Sequence, residues 1–312
     1  MFDFPEGKRY NSFAGYYQKK FGERLQKLVI DAGFSCPNRD GTVGVGGCTY
    51  CDNAAFHPGY STPGKSLFQQ IDEGIEFHRG RYPRVKHYLA YFQAYSNTYG
   101  PLSRLKELYG EALSHPSVVG LVIGTRPDCI DEEKLDYLAS LDKPVVTIEY
   151  GIESCYDATL LRINRGHNFE CARRAVEMTA AHGLDVGAHF ILGLPGETRE
   201  MMLEQCSQIS AMPLTSVKFH QLQIVKGTRM EKEYAAYPEE FLRLGLDDYI
   251  DFMVDILERL RPDLYIERIA GEVPPRFVSE TPWGLIRNVD ILRLLDKRLE
   301  ERDTYQGRLY PR

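Results

Sequence analysis

No stretch of the 312-residue chain approaches the ~20 consecutive apolar residues that a membrane-spanning helix requires, so no transmembrane helix is expected. The first residues, MFDFPEGKRY, hold an acid, an early proline and no apolar core, so no secretory signal is expected there. A basic excess is also missing. The 38 Lys and Arg face 44 Asp and Glu, a net charge of −6, with a pI near 5.8. Proteins that hold nucleic acid neutralise its phosphates with a basic stripe. The basic clusters here (QKK, RGRYPRVKH, LLDKRLEERD) are short or mixed with acids. A small-molecule substrate is expected rather than RNA. Also absent is an even, regular cysteine framework. Seven unevenly spaced cysteines in a chain this long argue against secretion and for a reducing, cytoplasmic setting.

What is present is an alternation. Short apolar, β-rich runs at 25–33, 87–95, 118–125, 145–153, 185–194 and 216–225 are separated by helical spacing at 66–78, 102–113, 131–141, 169–182 and 197–211. Continuous apolar strands between amphipathic helices predict a parallel sheet covered on its outer face. The expected fold is α/β, a partial (β/α)6 TIM-like barrel with a helical C-terminal extension. Residues 1–24 are read as an N-terminal extension, 25–230 as the barrel core and 231–312 as the C-terminal extension. Within the last, 241–262 reads as one long helix, LYIERIAGEVPPR as a possible seventh strand and 288–302 as a final helix.

In such barrels chemistry gathers on the loops after the strands. The loop after the first strand holds Cys36, Cys48 and Cys51 among Gly41, Gly44, Gly46 and Gly47. A lone cysteine is usually a small buried hydrophobe, but three in sixteen glycine-rich positions are not core packing. Two readings stand. One is a zinc site completed by His57, in a zinc-stabilised binding protein without catalysis. The other is an iron–sulfur cluster on three thiolates, with one iron left for a small molecule. Tyr50, inside CTYC, could shield one face of such a cluster. Cys129, Cys155, Cys171 and Cys206 lack a partner at metal-ligand spacing, and most of them read as buried.

The pattern C-x₁₁-C-x₂-C after the first strand resembles the radical S-adenosylmethionine (SAM) superfamily. Its commonest spacing is C-x₃-C-x₂-C, from which the longer first gap departs. The segments DAGFSCPNRDGTVGVGGCTYC, YLAYFQAYSNT, GTRPDC, INRGH, GLPGET, LQIVKGT and RDTYQGRLY resemble the YhcC-type subfamily, related to the elongator catalytic subunit. The resemblance implies a 4Fe-4S cluster on the three cysteines. It also implies S-adenosylmethionine on the open iron, cleaved to a 5′-deoxyadenosyl radical, and an electron donor such as flavodoxin or ferredoxin.

By the same resemblance, Gln93, Ala94, Tyr95, Ser96, Asn97 and Thr98 occupy the methionine-binding segment, Ala94 to Thr98 offering backbone groups and Asn97 and Thr98 polar side chains to the ammonium and carboxylate. Glu149 faces the interior by strand alternation, and its family counterpart implies a contact to the ribose or the ammonium. Arg162 resembles the carboxylate-binding arginine, with Arg165 the other candidate, and Gly193 packs near the adenosine. Substrate contacts are then expected from the remaining inward mouth residues: Tyr95, Arg126, Asp128, His189, His220, Gln223, Arg268 and Glu272. One activity on this scaffold is queuine lyase, which breaks a C–N bond to release 7-aminomethyl-7-deazaguanine in queuine salvage. RNA modification, following the elongator relative, is the alternative within the enzyme class.

Overall fold

The computed structural model describes residues 4–311. Its elements run α1 (Phe13–Phe21), β1 (Gln26–Ile30), α2 (Leu67–Arg79), β2 (Tyr88–Phe92), α3 (Leu102–Ser114), β3 (Val118–Thr125), α4 (Glu132–Ala139) and β4 (Val145–Glu153). They continue through α5 (Asp157–Arg162), α6 (Phe169–Ala181), β5 (Asp185–Leu192), α7 (Arg199–Ala211), β6 (Ser216–Gln221), α8 (Arg229–Ala236), α9 (Leu246–Arg259), β7 (Tyr265–Arg268) and α10 (Asn288–Glu301). The strands form one sheet in the order β1 to β7. Every neighbouring pair is parallel. The seventh strand expected from LYIER does form, and β1 and β7 are the end strands of an open barrel, β7 taking a single parallel bridge from Ser12 on its outer side.

Strand alternation sorts the residues into two faces. Ile148, Tyr150, Ala188 and Phe190 point outward into the core shared with the surrounding helices. The Tyr150 hydroxyl meets Thr179 of α6 at 2.7 Å. The helices start where their sequences provide caps. Ser12, Ser66, Asp131, Asn168, Thr198 and Thr228 each accept a backbone N–H from the first turn.

Three features depart from the expected outline. Residues 13–21, expected as mere extension, form α1, which plugs the lower end of the barrel. Phe13 and Tyr17 pack there against the inward Leu89, Tyr91, Val122 and Val145. The long helix expected from 241 begins only at Leu246, after Gly245, with Asp247 and Asp248 favouring the positive helix end. It stops before Pro262, which disfavours helical backbone in the residue ahead of it. The boundary expected between 230 and 231 falls inside α8, and β7 pairs with β6, so residues beyond 230 also contribute a strand to the sheet.

Candidate active site

Above the plug, the inward face carries charges. Glu149 of β4 is fully buried and accepts from Lys27 Nζ at 2.5 Å, Lys218 Nζ at 2.5 Å and His189 Nε2 at 3.0 Å. Glu267 of β7 receives the same two lysines, at 2.6 Å and 3.0 Å. Two lysines and two glutamates balance, as buried charge must. Lys27 on β1 and Glu267 on β7 close an ion pair between the two sheet edges. Gly187 makes room for this layer, because a Cβ there would stand 3.0 Å from Glu149 Cγ. Burial alone would raise the Glu149 carboxyl, but Lys218, Lys27 and His189 hold it well below the ordinary range. Burial, with Lys218, lowers His189, so the ring is neutral and donates through Nε2 to Glu149.

The charged layer is the floor of a cavity of about 880 Å³. Cys36, Cys48 and Cys51 line one part of it, with Tyr50, Gln93, Tyr95, Arg126, Glu149, Glu153, Arg165 and Gly193. His189, His220, Gln223, Arg268 and Glu272 line it at the β5–β7 side, where Tyr249, Phe252 and Trp283 form the wall. Sequence reasoning passed over Lys27, Lys218, Glu267 and Glu153. A charged residue at inward parity in an otherwise apolar strand was the available signal for the first three.

Several of the expected site residues lie in settings other than those expected. Arg162 does not line the cavity. Its guanidinium binds Glu233 at 2.9 and 2.7 Å and also Glu240, tying α5 to α8 and the turn after it. Arg165 is the arginine at the cavity, buried, with Nη1 3.4 Å from Cys48 Sγ and Nη2 bonded to the Gly151 carbonyl. Burial disfavours its charge, but Tyr50, Cys48 and Glu153 more than compensate, so it stays protonated. Glu149, expected to meet the cofactor, already accepts from both lysines and His189. The cavity carboxylate with a looser partner is Glu153, 3.5 Å from Arg165, at left-handed φ (75°) where β4 slips register against β5.

In the β2 loop, Ala94, Ser96, Asn97 and Thr98 are fully buried and lie outside the cavity lining. Asn97 Nδ2 donates to the Phe92 and Gly124 carbonyls at 3.1 and 2.8 Å, and Thr98 Oγ1 bonds Thr125 at 2.6 Å and the Cys129 carbonyl at 2.7 Å. Ser96 Oγ bonds Thr125 at 2.9 Å. These side chains knit the loop to β3; only Gln93 and Tyr95 of the segment line the cavity. Asp128 is also outside the lining, clamped by Arg126 at 2.9 and 2.6 Å. Burial opposes its charge, yet Arg126 holds the carboxyl below its ordinary value. Arg126 in turn donates to the Arg165 carbonyl at 2.7 Å, fixing the loop that aims Arg165.

The three thiols suit an iron–sulfur cluster. Cys36, Cys48 and Cys51 are free, and their loop is stitched down by Gly47 N to the Asn38 carbonyl (2.8 Å) and Thr49 N to the Ile163 carbonyl (2.9 Å). Gly46 and Gly47 stand at φ of 80° and 78°, a backbone that side chains resist. Among the described residues no three His, Cys, Asp or Glu side chains converge as a single ion would need. In a cluster each thiolate binds a different iron, so such convergence is not required. His57 is instead drawn to Asp31, 3.7 Å away. Cys129, Cys155 and Cys206 are buried and Cys171 is half-buried on α6. Among the described residues no helix is long and apolar enough to cross a membrane.

Known proteins resemble this chain in sequence and fold. Residues 38–207 match the Radical SAM superfamily model, and residues 214–301 match the Radical_SAM C-terminal domain. The uncharacterized protein YtqA of Bacillus subtilis is 36% identical over 98% of this chain and 94% of its own. Protein YhcC of Escherichia coli is 36% identical over 85% of this chain and 84% of its own. Elp3 of the archaeon Methanocaldococcus infernus shares the fold with a TM-score of 0.69 at 16% identity, over 90% of this chain and 64% of that one. With a family model covering more than half its length and full-length relatives above 30% identity, the chain belongs to the radical SAM superfamily, in its YhcC-like branch, whose cofactors are a 4Fe-4S cluster and S-adenosylmethionine.

Proposed function

We propose that this radical SAM enzyme is a lyase acting on a small molecule, with queuine as the substrate and 7-aminomethyl-7-deazaguanine as a product of C–N cleavage. The observation that carries the reading is the single cavity that joins the three thiols to a separate polar and aromatic wall. Its volume of about 880 Å³ lies toward the upper end of small-ligand sites, roughly 300–1,000 Å³. That space suits a cofactor together with a second small molecule. When bound and reduced by a donor such as flavodoxin or ferredoxin, the cluster supplies reductive cleavage of S-adenosylmethionine to a 5′-deoxyadenosyl radical.

The chain's residues divide the remaining work. Cys36, Cys48 and Cys51 hold the cluster. Arg165 takes the methionine carboxylate, as a guanidinium fork does best, and Glu153 faces the ammonium or ribose. Gln93, Tyr95, Tyr50 and Gly193 wall that subsite. The substrate lies toward His189, His220, Gln223, Arg268 and Glu272, and the half-buried Trp283, backed by the buried Tyr249, stacks against a flat heterocycle. The net charge of −6 supports a free base over tRNA. The test is anaerobic incubation of cluster-loaded protein with dithionite, S-adenosylmethionine and queuine. The expected outcome is 5′-deoxyadenosine together with released aminomethyl deazaguanine. Turnover of tRNA but not of the base, with binding that weakens steeply in salt, would favour the RNA-modifying alternative.

A further inference from the structure

The three cysteines are not equivalent. Cys48 is buried, whereas Cys36 and Cys51 are half-buried. Among the described residues two side-chain donors reach the Cys48 sulfur: Arg165 Nη1 at 3.4 Å and Asn38 Nδ2 at 3.7 Å. Both distances suit an N–H···S bond. Asn38 is wholly buried and carries no charge. The same Nδ2 donates to the Asn164 carbonyl at 2.5 Å, and Asn164 Nδ2 reaches back to the Gly47 carbonyl at 2.8 Å. The Asn38 backbone carbonyl accepts from Gly47 N at 2.8 Å. A Cβ at Gly166 would stand 2.9 Å from Asn38 Oδ1. The amide is therefore packed against the 164–166 loop on one side and Cys48 on the other, with little freedom to turn.

We propose that Asn38 sets the reduction potential of the cluster by donating a hydrogen bond to the Cys48 sulfur, a contact seconded by Arg165. Reduction adds one negative charge to a cluster and its thiolates, so a donor aimed at a ligating sulfur stabilises the reduced form and raises the potential. In the measured step one electron passes from dithionite to the oxidised cluster, with no bond formed or broken. The proposal rests on Cys48 as a cluster ligand and is independent of which substrate the enzyme takes.

The test is a redox titration of the reconstituted full-length protein without S-adenosylmethionine, followed by the electron paramagnetic resonance of the reduced cluster. Asn38→Ala and the nearly isosteric Asn38→Asp both remove the donor. Each is expected to lower the reduction equilibrium constant about tenfold, which is ~59 mV for one electron, with iron and sulfide content unchanged. Asn164→Gly removes the other stitch of the loop, at a left-handed position that glycine tolerates, and is expected to leave the potential where it was. An unchanged potential in both Asn38 variants would overturn the proposal. So would an equal shift in Asn164→Gly, or failure of both Asn38 variants to load iron, which would make Asn38 a folding residue. Wild-type protein that binds no iron would instead remove the ligand assignment on which the proposal stands.

Discussion

Arg162 and Arg165 lie on the same short segment, LLRINRGH, yet face different surroundings. Arg162 is about a third exposed and paired with Glu233 and Glu240, while Arg165 is buried beside Cys48. Arg165→Gln on cluster-loaded protein is expected to weaken S-adenosylmethionine binding at least tenfold, since a hydrogen bond to a charged group contributes roughly 1.5–3 kcal/mol. Arg162→Ala should leave that affinity within about twofold, because its solvent-reached ion pairs lie away from the cavity and contribute only about 0–1 kcal/mol, to stability alone. Titration of the cofactor against both variants decides which arginine serves the carboxylate. Sequence spacing could not separate them. Which one turns inward depends on the Arg126 clamp on the Arg165 carbonyl, a contact between loops 39 residues apart.

Glu149 makes a second residue-scale case. Replacing it by Gln would leave Lys27 and Lys218 facing only Glu267, a broken buried pair costing about 3–5 kcal/mol. Urea unfolding at neutral pH should register that loss. The folded-state pKa is depressed below the ordinary 4.5. Its contribution is therefore complete above that value and is lost as pH falls through the lower folded-state value. Wild-type stability should fall with acidification in that window, and the contribution of this residue should be absent from the Glu149→Gln profile. Equal stability of the two proteins at neutral pH would show that the charged layer is not held by Glu149.

At the scale of elements, the strands that alternate with helices were legible because apolar runs and amphipathic spacing are local properties. The plug helix was not. Phe13 and Tyr17 sit in a short segment, FAGYYQKKF, that carries no strand or barrel signature, and most of the strand residues they pack against (Leu89, Tyr91, Val122, Val145) are more than 60 residues away. Phe13 lies under the charged layer, with Lys27 Nζ 5.0 Å from its ring centre. Phe13→Ala is expected to destabilise the protein by about 3–5 kcal/mol, the range for large-to-small changes in a core. A thermal or denaturant midpoint unchanged from wild type would mean that α1 is an appendage and not a plug. The β2 loop shows the converse limit. Ser96, Asn97 and Thr98 have the polarity of binding residues, but the loop spends their side chains on its own attachment to β3.

Across the whole molecule, the barrel axis orders its contents. Apolar contacts with α1 lie at the bottom, a neutral layer of paired charges above them, and the thiol-bearing cavity at the top. The cysteine loop after β1 pointed to that mouth but left a zinc site completed by His57 open, and it is the structure that draws His57 toward Asp31 instead. The sequence left open which carboxylate and which arginine line the mouth, since both depend on contacts between segments distant in the chain. The most direct measurement is reductive cleavage of S-adenosylmethionine by anaerobically reconstituted protein, compared among cysteine variants. Iron-dependent formation of 5′-deoxyadenosine is expected from wild type and from Cys155→Ala, and none from Cys36→Ala, Cys48→Ala or Cys51→Ala. Cleavage retained by any of those three, or a colourless zinc-loaded wild type without cleavage, would contradict the cluster assignment.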